Sequence, residues 1–171
     1  MLHASRSKSS NWAGRHRGFT IVELAVTLSI MSVLAAVALP SIRHAYLVSR
    51  ANVMANDLRV YTQGFQNYIQ QEAAYPKDSG TKRMPTGMGN YLSASWLEQT
   101  AIGGYYNYEY NKRTKRTIYK VAIGIRSSGQ KKVSKDVDLL TAVDSALDDG
   151  NLNTGSFFIG VGNEPFYVIE R

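Results

Sequence analysis

Phe19–Leu39 reads FTIVELAVTLSIMSVLAAVAL, 21 residues with a single charge, Glu23. Coiled as a helix at ~1.5 Å per residue, such a stretch is ~32 Å long, about the thickness of a bilayer's hydrocarbon core. Immediately before it the chain carries Arg6, Lys8, Arg15 and Arg17 and no acid. Cations before an apolar span hold that end in the cytoplasm, so the expected topology is a single pass with residues after Pro40 outside. Two other readings stay open. One is a buried helix of a soluble domain, for which the run is long and unbroken. The other is a secretory signal cut at Ala36-Val37-Ala38, for which the run exceeds the usual ~7–15 apolar residues and contains a carboxylate. Glu23 is costly in such a place, on the order of 2.5–3.5 kcal/mol at a span's centre and less at its edge, and calls for a partner. The candidates are Arg17 and, if the chain is cut between Gly18 and Phe19, the new amine on Phe19, one helical turn from Glu23. A carboxylate snorkelling to the interface is the simpler alternative.

The leader accounts for four of the seven net positive charges of the 171-residue chain, so its basic balance is not a nucleic-acid footprint of the whole. With no cysteine, disulfides, thiolate metal sites and cysteine nucleophiles are excluded. The three histidines, His3, His16 and His44, all lie in the first third, leaving the remainder without an imidazole base or ligand.

Beyond the span the helical period continues. Leu47, Met54, Leu58, Tyr61, Phe65 and Tyr68, with Ala51 between the first two, form one apolar face over residues 40–73, opposed by Asn52, Asn56, Arg59, Gln63, Gln66, Asn67 and Gln70. One helix from about Phe19 to Ala73 is predicted, stopped by Tyr75-Pro76. Residues 74–103 read as loop around Pro76, Gly80, Pro85, Gly87 and Gly89, with a helical turn at Ser93–Gln99 placing Trp96 and Leu97 on the core. Tyr105–Tyr110 and Thr117–Ile123 alternate, predicting a hairpin whose tip holds Lys112, Arg113, Lys115 and Arg116. Val137–Leu147 has helical spacing, and Phe157–Val161 and Phe166–Ile169 are two further strands. The fold class is α+β: a small antiparallel sheet of about four strands in a head spanning 74–171, lying on the outer half of a long helix.

The stretch Arg17-Gly18-Phe19-Thr20-Ile21-Val22-Glu23-Leu24 resembles the N-terminus of type IV prepilins and type II secretion pseudopilins. The resemblance implies a leader, residues 1–18, removed after Gly18 by a prepilin peptidase that also methylates Phe19. It implies a role for Glu23 in subunit docking and for Pro40 as a helix kink. It further implies a non-enzymatic filament subunit, of a pilus or a secretion pseudopilus, whose partners are other pilin-like subunits, the peptidase/methyltransferase, an inner-membrane assembly platform and the bilayer. Ser29, Ser32, Ala35, Ala36 and Ala38 would let neighbouring helices approach closely. The layout of long helix and antiparallel head is also the pilin one, whereas a head without a cysteine pair departs from many pilins.

The other patterns are weaker. Basic residues beside tyrosines at the hairpin tip can bind a polyanion such as DNA, which would make the chain an anchored or exported binding module. A solvated turn is the plainer reading, and nucleic acid is not the expected partner. Asp149-x-Asn151-x-Asn153 has the spacing of the first calcium ligands of a loop, but Thr154 stands where that loop needs glycine and Gly160 where it needs glutamate. A plain helix-to-strand turn and a calcium site both remain open, and the family resemblance adds that some pseudopilins bind calcium in a C-terminal loop; no other cofactor is expected. Gly124–Lys131 falls one residue short of a phosphate loop, with Gln130 where the lysine must be. Asp136, Asp138, Asp144, Asp148 and Asp149 read as a solvated helix face, not as a pair of hydrolytic carboxylates.

Overall fold

The computed structural model of the chain describes residues 18–113, 118–160 and 162–171. Helix α1 runs Ile21–Glu72 and passes through Pro40 without a break. Strands β1 (Tyr105–Arg113) and β2 (Ile118–Arg126) follow, then α2 (Val137–Leu147), β3 (Phe157–Ile159) and β4 (Pro165–Glu170). Two compact units divide at Ser41/Ile42.

In the first unit α1 begins on a capping box. Thr20 is the N-cap residue and Glu23 stands three positions on. Glu23 Oε2 accepts from the Thr20 backbone N–H and from its hydroxyl, both at 3.0 Å, while the Thr20 hydroxyl oxygen accepts from the Glu23 N–H at 3.1 Å. Two of the amides that every helix start leaves unpaired are thereby satisfied. The described residues of this unit are exposed, including every large apolar side chain from Ile21 to Leu39.

In the second unit the outer part of α1 buries Ala51, Met54, Ala55, Leu58, Tyr61, Gly64 and Phe65. This is the face marked by the spacing of its apolar residues, with Leu47 and Tyr68 half-buried at its ends. The helix stops at Glu72, just short of the predicted Ala73, because Ala73 turns left-handed at φ 50°. Gly64 is required by close approach: a Cβ there would stand 2.5 Å from the Tyr91 carbonyl oxygen and 3.0 Å from Leu92 Cδ2.

The face packs on a four-stranded antiparallel sheet of order β1-β2-β4-β3. Between them lies an aromatic core. Trp96 meets Tyr61 edge-on at 5.1 Å and stacks on Tyr106 at 5.2 Å, and Phe65 stacks on Tyr108 at 4.7 Å. The indole N–H of Trp96 donates to the Arg83 carbonyl at 2.9 Å, so the ring is buried without an orphaned donor. Ser93 precedes the 3-10 turn Ala94–Leu97 that carries Trp96, and Leu97, expected in the core, is exposed. α2 has the bounds its spacing predicts, and Asp136 caps it by accepting from the Asp138 and Leu139 amides. The third strand is shorter than predicted, Phe157–Ile159 against Phe157–Val161, with Val161 outside the described residues.

The sheet's other face carries a smaller apolar cluster, Tyr119, Ala122, Phe158, Phe166 and Val168. Beside it lies an ionic network that the sequence reading missed. Buried Glu109 accepts from the Asn107 amide at 2.8 Å, from the Tyr119 hydroxyl and from the Arg126 guanidinium, which also pairs with Glu164 and lies over the Phe166 ring. Asn107 and Glu109 alternate with Tyr106 and Tyr108 along β1, so the tyrosines that face the helix leave these two polar residues on the opposite side. Burial and the adjacent Glu109 carboxylate both push the Tyr119 hydroxyl upward, keeping it a donor.

Candidate functional site

The first candidate site is the start of α1. Gly18, Phe19 and Glu23 lie there in sequence, and the structure gives Glu23 a partner in its own first turn. Its carboxylate is held by Thr20, and its charge sits in the first helical turn, where the helix dipole favours an anion. The signal was legible as Thr20-x-x-Glu23. Arg17 and the rest of the leader lie outside the described residues. Among the described residues nothing lies within 4 Å of the place a Cβ on Gly18 would occupy, so their packing does not demand glycine there.

Further along, the polar side chains of the segment turn inward on their own helix. The Thr27 hydroxyl donates to the Glu23 carbonyl at 2.9 Å, Ser29 to Ala25 at 2.8 Å and Ser32 to Leu28 at 2.7 Å. What faces outward is a surface of methyl and methylene groups, and α1 contains a stretch long and apolar enough to cross a membrane. Pro40 lies inside the helix, one residue past this stretch.

The hairpin tip is only partly described. Lys112 pairs with Asp78 at 3.1 Å. The Arg113 side chain, Lys115 and Arg116 lie outside the described residues. The tyrosines beside the tip are engaged elsewhere: Tyr106, Tyr108 and Tyr119 are buried, Tyr110 stacks on Tyr75 at 5.2 Å, and Lys82 covers Tyr105 at 4.7 Å. Stacking of bases on aromatic faces, which a single-stranded nucleic acid requires, finds no bare ring among these five.

The loop after α2 folds on itself. Asp149 accepts from the Asn151 amide at 2.9 Å and the Thr154 hydroxyl at 2.6 Å, Asn151 accepts from the Asn153 amide at 3.2 Å, and Asp148 accepts from the Ser156 amide. These are turn-forming bonds that use the very oxygens a calcium ion would need. Among the described residues no group of three or more His, Cys, Asp or Glu is placed to hold a metal. The expectation of a solvated acidic face is corrected at Asp144. It is fully buried on α2 with no hydrogen-bond partner for either carboxylate oxygen, and burial, then the neighbouring Asp149 and Asp148, push its pKa up to about 6. It lies on the same side of the helix as Leu140 and Val143, so helical geometry carries it under with them.

Comparison with known proteins agrees with both ends of this description. The profile of the prokaryotic N-terminal methylation motif matches residues 14–39. No curated protein gives a significant match. The major type IV pilin PilA1 of Clostridium difficile is similar in structure, with a TM-score of 0.51 at 13% identity over 75% of this chain and 99% of that one. The chain therefore carries a prokaryotic N-terminal methylation motif at the head of a type IV pilin fold.

Proposed function

We propose that the chain is a structural subunit of a type IV pilus-like or type II secretion pseudopilus filament. Phe19–Leu39 anchors it in the inner membrane before assembly, with the head outside. A prepilin peptidase cuts after Gly18 and methylates Phe19, and the freed segment then packs against other pilin-like subunits in the filament core on an inner-membrane assembly platform. The observation that carries the reading is the methylation motif, residues 14–39, on a helical segment whose large apolar side chains from Ile21 to Leu39 are all exposed. An apolar face of that length needs a lipid or protein cover, and the motif supplies the order in which it receives them. The open space around Gly18 supports a demand for glycine set by the peptidase and not by this chain's packing. Glu23 and Pro40 are the assembly residues. With its carboxylate already bonded to Thr20, Glu23 enters the membrane pre-organised and can still accept a neighbour's Phe19 amine on its remaining oxygen.

N-terminal sequencing of the mature protein tests this. N-methylated Phe19 is expected, and Gly18→Trp should leave the leader in place. A chain beginning at Leu39 would show signal-peptidase release, and an intact Met1 a simple tethered module; either overturns the filament reading.

A further inference from the structure

The head has one end at which α1 enters it. From Ile42 to Tyr46 the helix is exposed, and Leu47 is the first side chain to pack on the core. Just above, Arg50 Nε donates to the Ala101 carbonyl at 2.8 Å. The turn that follows Ala101 is buttressed by the β2–α2 loop: Ser134 N–H donates to the Ile102 carbonyl at 2.8 Å, and Gly103, at φ 85°, lies so close to the Lys132 carbonyl that no Cβ fits between them. Residues 131–135 are thus held at the level of Arg50, and their three lysines, Lys131, Lys132 and Lys135, are exposed. Arg43 is exposed two turns earlier on α1.

None of these five cations forms an ion pair among the described residues, whereas Lys112, Lys120 and Arg126 all do. The acids nearest in the chain are Asp57, Asp136 and Asp138; the Asp57 carboxylate accepts from the Tyr106 hydroxyl, and the Asp136 carboxylate is occupied in capping α2. The surplus is positive and carries no carboxylate partner among the described residues, though Arg50 is held by the Ala101 carbonyl and the Tyr46 ring. Chain length fixes where it can go. Arg50 is eleven residues beyond Leu39, hence within ~16 Å of the end of the apolar segment at whatever angle the chain takes at Pro40. The headgroup layer is roughly 5–8 Å deep, and surface charge is felt for a further ~8–10 Å at physiological salt.

We propose that this end of the head docks, before assembly, on the anionic phospholipid headgroups of the membrane that holds the apolar segment, through Arg43, Arg50, Lys131, Lys132 and Lys135. The inference rests on the reading of Phe19–Leu39 as a membrane anchor. Docking limits the head's freedom above the bilayer, and entry into a filament then has to break it, so anionic lipid opposes extraction.

The full chain has no cysteine, which makes a single reporter simple. Ser128→Cys, exposed beside the lysines, is spin-labelled, the chain is reconstituted in phosphatidylcholine vesicles with or without phosphatidylglycerol, and broadening by a headgroup-attached nickel chelate is read. Broadening is expected to be at least about twofold greater with phosphatidylglycerol, and to fall to the phosphatidylcholine level at about 1 M salt, where the Debye length is near 3 Å. K131Q/K132Q/K135Q and K131E/K132E/K135E should each abolish the difference while circular dichroism stays unchanged. Equal broadening in both lipids, in vesicles where the chain floats, overturns the docking alone. Broadening that follows protein density instead of phosphatidylglycerol, and is lost in D148K/D149K, places a neighbouring copy on the patch and likewise overturns it. A chain that fails to float with either vesicle overturns the anchor reading itself.

Discussion

Asp144→Asn is the most informative single change in the head. The wild-type carboxyl is fully buried and makes no well-formed hydrogen bond; burial and the charges of Asp149 and Asp148 outweigh the nearby Asn151 amide and raise it from 3.8 to about 6. A carboxyl raised in the folded state binds its proton more tightly folded than unfolded. Its contribution is therefore fully present only below about pH 3.8, is lost progressively between 3.8 and about 6, and leaves a buried charge above that. The gap from 3.8 to about 6 is worth ~3 kcal/mol at most, at about 1.4 kcal/mol for each tenfold change. Asp148 and Asp149 beside it are exposed, and water there screens the group, so about half, ~1.5 kcal/mol, is the expected penalty at pH 7.5. Asparagine keeps the shape, carries no charge and gives Asp149 a donor. Urea denaturation of the full chain in detergent micelles, followed by near-ultraviolet circular dichroism at pH 4.5, 6 and 7.5, reads the difference between variant and wild type. The variant should gain ~1.5 kcal/mol at pH 7.5, or about 3–6 °C in Tm, and only about a third of that at pH 4.5. Taking the difference removes the acid destabilisation that other carboxylates, such as the Thr154-bonded Asp149, impose on both proteins. An equal gain at both extremes, or a loss at pH 7.5, would show that Asp144 is not a buried charge.

Gly64→Ala gains ~1 kcal/mol of helix propensity but drives a methyl into the Tyr91 carbonyl; overpacking costs ~1–3 kcal/mol, so a net loss of about 1 kcal/mol is expected by the same denaturation assay. Glu109→Gln removes the buried charge shared by Arg126 and Tyr119 and should cost ~2 kcal/mol, with Glu164 keeping part of the Arg126 pairing; no change in Tm would show that the network is incidental. Thr20→Ala breaks the capping box and should cost about 1 kcal/mol locally, seen as faster hydrogen exchange of the first-turn amides with α2 unaffected.

Local chemistry alone settled the apolar segment, the start of α1 through Thr20 and Glu23, its buried face from Ala51 to Phe65, and both ends of α2 with its Asp136 cap. Each is written in residues three or four positions apart, and such neighbours meet in a helix whatever the rest of the chain does. Neighbours far apart in sequence were decided by tertiary structure. Strand alternation foretold four strands but not that β4 would lie between β2 and β3, because a period of two says which face a side chain takes and nothing about which strand lies beside it. The same holds for the Glu109–Arg126–Glu164 network, assembled from β1, β2 and the turn before β4. It holds for Gly64, whose missing side chain makes room for a loop 27 residues on. Asp144 looked like one more surface acid beside Asp148 and Asp149, and only the packing of α2 against the head placed it under the surface, where its charge becomes costly.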